Sequence, residues 1–281
     1  MRIIWQHRTV TSRIDLQTAY ILHTRPYRDT SLIADVFTPQ FGTLALIGRG
    51  ARGTRSRLRG IVQPFRRLVV SWAGRSELRT LTRAEEDGAP LWLTGQALVI
   101  GIYLNELVLR LMERDDPHPV IFAHYEAMLA ALATQPPAAT DPGIPRRLYE
   151  RSLRIFEKVL LRELGYGLIL DHDVGTGDAI DPAAMYRYDC LRGPSLDGGG
   201  SNHDDHADVM LVRGASLSSL DGGKLDDPQS LQDAKKMLRT ALARHLGGRP
   251  LNSRRLLTTY RNPKASTVAT HAETATGKID D

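Results

Sequence analysis

Residues 19–83 contain AYILHT (19–24), SLIADVF (31–37), GTLALIG (42–48), FRRLVVSW (65–72) and ELRTLTR (77–83), separated by Pro26, the Pro39/Gly42 pair, Gly60/Pro64 and Gly74. Short runs rich in β-branched and apolar residues, bounded by turn formers, predict strands. Five of them follow one another with no helical periodicity long enough to compete, so a small closed barrel is expected over 18–84. The five-stranded OB-fold suits that size. An SH3-like barrel has a similar signature, and the strand count alone does not separate the two.

Beyond Pro90 the period changes. Leu98, Ile102, Leu107, Val108, Leu111 and Met112 recur at helical spacing and predict a helix over about 93–114, ended by Asp115-Asp116-Pro117. A second helix is expected over 119–134, before the Pro-rich break QPPAATDPGIP (135–145). A third starts at Pro145, a good first-turn residue, and stops at Gly165. Asp227-Pro228 opens a fourth, ended by Gly247-Gly248, and LNSRRLLTTY (251–260) forms a short last one. The Gly- and Asp-rich stretch 166–226 lies between the third and fourth, with short strands expected at MYRYDC (185–190) and ADVMLVR (207–213). The expected organisation is α+β. It comprises an extension (1–17), the barrel (18–84), a helical domain (91–165 and 227–260), a small insert (166–226) and a disordered polar tail (261–281).

Charge divides along the chain. Residues 1–83 hold 15 arginines and four acids, a net of +11, whereas the remainder carries a net of −6. Between Asp35 and Glu77 there is no carboxylate but there are eight arginines, five of them (Arg49, Arg52, Arg55, Arg57, Arg59) in RGARGTRSRLR. A general preference for arginine (31 Arg against 6 Lys) does not remove carboxylates, so the clustering predicts an anion-binding surface. Guanidinium groups fork onto phosphate oxygens, and Gly48, Gly50, Gly53 and Gly60 allow close backbone approach. Arg66 and Arg67 extend the basic set. Phe65 and Trp72 read equally as stacking partners for unpaired bases and as barrel core. Nothing here reads base edges, so binding of a nucleic-acid backbone is expected to be independent of sequence.

Other functional classes find little support. The single cysteine, Cys190, excludes an intrachain disulfide and any zinc site built on two thiolates. His203-Asp204-Asp205-His206 follows three glycines in an expected loop, and His172 lies between two aspartates; both read as solvated loop residues, and no metal or other cofactor is expected. Glu106 and Arg110, one helical turn apart, form a structural ion pair in this reading. There is no GxxxxGK[ST], GxSxG or HExxH, and no catalytic residue or enzyme is expected. The rival readings are a metal-dependent phosphodiesterase built on His203–His206 and an RNA-binding OB protein. No secretory leader or membrane span is expected, which points to a soluble cytoplasmic protein.

Six segments, in order, resemble the bacterial RecO family of DNA repair and recombination mediators. They are YILHTRPYRDTSLIADVFTPQFG, GRGARGTRSRLRGIVQPF, GIYLNELVLRLMERDDPHPVIFAHYEAML, LRIFEKVLLRELGYG, YRY (186–188) and LARHLGGRPLNSRRLL. The resemblance implies an N-terminal OB-fold, a helical domain and a small insert that in many members is a four-cysteine zinc subdomain; with Cys190 alone, this chain is similar to the metal-free branch. It further implies binding to single- and double-stranded DNA and annealing of complementary strands. Its implied partners are RecR, the C-terminal tail of single-strand-binding protein and, indirectly, RecA, at a cytoplasmic, nucleoid-associated location. Amphipathic KKMLR (235–239) and SRRLL (253–257) are compatible with an acidic partner tail, but equally with helices packed by their apolar sides.

Overall fold

A computed structural model describes residues 13–134, 143–197, 209–254 and 256. Of these, the residues up to Trp92 together with Met112–Phe122 form one compact unit. Leu93–Leu111 and the residues from Ala123 onward form another.

The first unit is a closed barrel. Its strands are β1 (Arg13–Tyr27), β2 (Ser31–Thr38), β3 (Gly42–Gly48), β4 (Arg67–Ala73) and β5 (Leu78–Glu86), with a one-turn helix α1 (Leu58–Ile61) between β3 and β4. The order is β1-β2-β3-β5-β4; β3 and β5 run parallel and the other pairs antiparallel. This is the OB-fold. Strand alternation sends Ala19, Ile21, Leu32, Ala34, Val36, Leu44, Leu46, Leu68, Val70 and Trp72 into one core. Phe41 meets the Trp72 indole edge-on at 5.2 Å.

β1 begins at Arg13, six residues before the expected start at Ala19, so residues 13–17 of the expected extension belong to the barrel. The reason is that β1 serves two neighbours: residues 13–20 pair with β4 and 20–27 with β2, with register shifts at Ile14/Gln17 and Ile21/His23. Bulges of this kind bend a strand between two pairings. Pro26, read from sequence as a break, lies inside β1 opposite Leu32, on the half paired with β2 alone, where a missing N–H is tolerated. β2 and β3 are buried on both faces, which is why SLIADVF and GTLALIG are continuous apolar runs. The segment Met112–Phe122 accompanies that outer face: Phe122 lies 5.2 Å from Phe37 and 5.7 Å from Tyr20. Gly42, at φ 60°, passes so close that a Cβ would stand 2.0 Å from the Asp116 carbonyl oxygen.

The second unit contains α2 (Gly95–Leu111), the larger part of α3 (Pro119–Ala133), α4 (Gly143–Glu163), α5 (Gly214–Asp221) and α6 (Pro228–His245). Its three-stranded sheet has the order β7 (Gly193–Leu196), β6 (Met185–Asp189), β8 (Val209–Arg213). Leu104, Leu107, Tyr125, Leu129, Phe156, Leu160, Met237 and Leu242 are fully or almost fully buried. Two polar pairs lie inside: Tyr125 donates to Asn105 Oδ1 at 2.6 Å, and Tyr103 donates to Glu157 Oε1 at 2.6 Å. Burial pushes the Glu157 carboxyl up, and the Arg154 guanidinium, 2.6 Å away, pulls it part of the way back.

Helix ends follow their signals. Asp227 caps α6 by accepting from the backbone N–H of Gln229 and Ser230, both at 3.0 Å, and Gly247 beyond its end has φ 61°. Two elements of the insert, β7 and α5, were not among the expected ones. Asp173 organises the start of this region, taking N–H groups of Gly175 (2.7 Å), Thr176 (3.2 Å) and Leu196 (2.6 Å). Of the last expected helix, residues 252–254 and 256 are helical, and 257–260 lie outside the described residues, as does the tail 261–281.

Candidate nucleic-acid interface

The segment between β3 and β4 is built from alternating anchors and cations. Ala51 is fully buried, Val62 nearly so, and Leu58 and Ile61 pack on the barrel core. Successive turns link Gly53 to Gly50 (3.0 Å), Ser56 to Gly53 (3.0 Å) and Arg59 to Ser56 (3.3 Å) through backbone hydrogen bonds. Gly50 sits at φ 65°, a left-handed turn position that glycine adopts without strain. With its apolar side chains fastened to the barrel, the segment leaves Arg49, Arg52, Arg55, Arg57 and Arg59 exposed together. Among the described residues none of the five is within salt-bridge distance of a carboxylate.

Arg52 ties this loop to the β1–β2 turn. Its N–H donates to the Thr30 carbonyl at 2.8 Å, and its Nη1 to the Arg28 carbonyl at 3.3 Å. The turn thereby brings in a cation that the linear pattern did not group with the others. Arg28, exposed and at φ 53°, holds its guanidinium 5.2 Å from the centre of the Tyr27 ring.

The remaining expected site residues are placed otherwise. Arg66 is buried and its Nη1 donates to Glu86 Oε1 at 2.7 Å; Arg67 Nε lies 3.0 Å from Asp87 Oδ2. Both cations therefore carry a counter-charge that the five loop arginines lack among the described residues. Trp72 is 2% exposed within the barrel core, and Phe65, at φ 66°, is buried with its N–H on the Ile21 carbonyl. Neither ring offers a surface face for stacking, and of the two readings left open by sequence the core is the one the packing realises. A further basic group surrounds Asp35. That buried carboxylate accepts from Arg25 Nη1 (2.9 Å) and Arg114 Nη2 (3.1 Å) and faces His23 Nδ1 at 3.6 Å.

Within the helical unit, Glu106 and Arg110 form the expected pair at 3.8 Å and also fasten the chain beyond α6. Arg110 donates to the carbonyls of Leu246, Arg249 and Pro250, while Glu106 accepts from the N–H of Asn252 and Ser253 and from the Ser253 hydroxyl. Burial pushes the Glu106 carboxyl up, and these hydrogen bonds with Arg110 more than offset it, leaving it lowered. His172 Nδ1 contacts Asp171 Oδ1 at 2.8 Å; the His203–His206 quartet lies outside the described residues. Among the described residues no cluster of three His, Cys, Asp or Glu side chains is placed to hold a metal ion, and no helix is long and apolar enough to cross a membrane.

Two family profiles match the chain: Recombination protein O N terminal over residues 14–86, and Recombination protein O C terminal over 93–255. The chain belongs to the RecO family. It is 42% identical over 245 residues to the DNA repair protein RecO of Dechloromonas aromatica, covering 87% of this chain and 96% of that one. To the DNA repair protein RecO of Azoarcus it is 43% identical over 249 residues, covering 88% and 97%. To that of Pseudomonas aeruginosa it is 43% identical over 240 residues, covering 85% and 93%. The RecO N-terminal match coincides with the barrel, and the C-terminal match with the helical unit and its small sheet.

Proposed function

We propose that this protein is a non-enzymatic DNA repair and homologous recombination mediator whose barrel grips the sugar–phosphate backbone of single- and double-stranded DNA. In this reading it anneals complementary strands and, with RecR, helps load RecA onto DNA coated by single-strand-binding protein, whose C-terminal tail it engages. The observation that carries the proposal is the cluster of five exposed loop guanidiniums without carboxylate partners among the described residues. Their relatives' shared name, DNA repair protein RecO, supports the DNA ligand and the repair context.

The physical contribution is charge neutralisation. Two phosphate chains repel each other, and each guanidinium placed between them releases condensed counterions and lowers the penalty of bringing strands together. Contacts to phosphate position a strand without reading it, so annealing by this surface is indifferent to sequence. The test is strand annealing on DNA precoated with single-strand-binding protein, comparing wild type with Arg55→Ala/Arg57→Ala/Arg59→Ala. Annealing by the wild type and its loss in the variant is the expected result. Equal annealing by both removes the loop from the mechanism, and no annealing by either removes the mediator reading.

A further inference from the structure

We infer that Trp92 is a stacking platform for unpaired bases, which adds affinity for single strands that a duplex does not receive. The inference rests on the DNA-binding reading above and adds a residue that neither the sequence pattern nor the family match assigns. Trp92 is the most exposed large apolar side chain among the described residues, at 69%. It is nevertheless held in place. The Arg66 guanidinium lies 4.8 Å from the centre of the indole, and Arg66 is itself buried and hydrogen-bonded to Glu86 at 2.7 Å. A guanidinium over an aromatic face attracts it, and one fixed by an acid cannot swing away. One face of the ring thus rests on Arg66, while the ring as a whole remains mostly in water.

An ordered indole left in solvent suits a ligand that brings its own flat, apolar face. Unpaired bases have one, and bases inside a duplex have theirs covered by neighbours. The location agrees with this ligand rather than with a protein: Arg66 closes the same β3–β4 segment that carries the five loop arginines, in the same compact unit as Trp92. Loop cations holding phosphates and an indole holding a base are the two components expected of a single-strand-binding surface.

The experiment uses the full chain and three ligands of one length: a thymidine strand, a strand of abasic sites and a duplex. Trp92→Ala is expected to weaken the thymidine strand roughly five- to hundredfold. The abasic strand and the duplex are expected to bind as before, and Trp92→Tyr, which keeps a ring, to retain most of the affinity. Because Trp92 is exposed, its loss opens no core cavity, and an unchanged circular dichroism spectrum verifies the fold. Undiminished binding of the thymidine strand by Trp92→Ala overturns the inference, as does an equal loss on all three ligands. The loop variant Arg55→Ala/Arg57→Ala/Arg59→Ala, measured in parallel, separates the two claims: it is expected to weaken all three ligands. If it weakens none, the DNA-clamp reading fails, whereas failure of Trp92 alone leaves that reading standing.

Discussion

Replacing Asp35 with alanine removes a buried carboxylate that organises the outer face of β1 and β2. Asp35 is 4% exposed and accepts charge-assisted hydrogen bonds from Arg25 and Arg114, with His23 also facing it. Such bonds contribute about 1.5–3 kcal/mol each where both partners are withdrawn from water. Here the arginine side chains are 46% and 48% exposed and rehydrate once the carboxylate is gone, so roughly half of that sum survives. Two guanidiniums left facing each other add a small repulsion. The expected cost is about 2–3 kcal/mol. The matching control is Asp15→Ala, which breaks an exposed pair with Arg13 (63% and 51% exposed) and should cost less than about 0.5 kcal/mol. Trp72 and Trp92, the tryptophans among the described residues, both belong to the barrel unit, so denaturant unfolding followed by tryptophan fluorescence reports it. An Asp35→Ala cost indistinguishable from that of Asp15→Ala refutes the reasoning, since it would mean that the buried carboxylate does no more than a surface ion pair.

Gly42→Ala should destabilise the barrel by several kcal/mol, because the new methyl meets the Asp116 carbonyl and the backbone is left-handed there; the same fluorescence unfolding measures it, and a neutral substitution contradicts the packing. Asp227→Ala should cost about 1 kcal/mol at neutral pH through loss of the α6 cap. Hydrogen bonds from Ser230, with Arg213 nearby, hold the Asp227 carboxyl at about 2, below its ordinary 3.8. A depressed carboxyl stabilises the fold above its unfolded value, so the gap between wild type and variant should shrink as pH falls from about 4 towards 2. Helical circular dichroism across that range follows it, and a gap that widens on acidification contradicts the cap.

The barrel was legible because its strands are separated by turn formers, and because Leu68, Val70 and Trp72 alternate with residues on the other face. The same alternation holds the answer for Trp72, whose inward neighbours are two aliphatic residues. Arg66 and Arg67 differ from the loop arginines for a physical reason. The acid-free window ends at Glu77, but the β4–β5 ladder sets Leu68 opposite Glu86, bringing Glu86 and Asp87 beside them. Pairing across a ladder has no signal in a linear window. The loop arginines escape this because they stand between β3 and β4, outside the strand ladders. Trp92 gave no signal either, standing in an irregular stretch before α2 where neither period applies. β1 outran its expected length because the alternation that marks a strand breaks at its bulges. The helix caps at Asp227 and Gly247 were legible because capping is a local bargain between neighbours in sequence.

The claim on which the account depends is that position, not net charge, makes the loop arginines a clamp. Its most direct measurement is the salt dependence of single-stranded DNA binding in two triple variants that each remove three positive charges. One is Arg55→Ala/Arg57→Ala/Arg59→Ala, from the loop; the other is Arg13→Ala/Arg67→Ala/Arg83→Ala, whose arginines are paired with Asp15, Asp87 and Glu85. At about 0.7 per lost phosphate contact, the loop variant should flatten the slope of log affinity against log salt by about 2, and the paired variant should leave it as in wild type. Equal flattening by both would contradict the account, as would an unchanged slope in the loop variant.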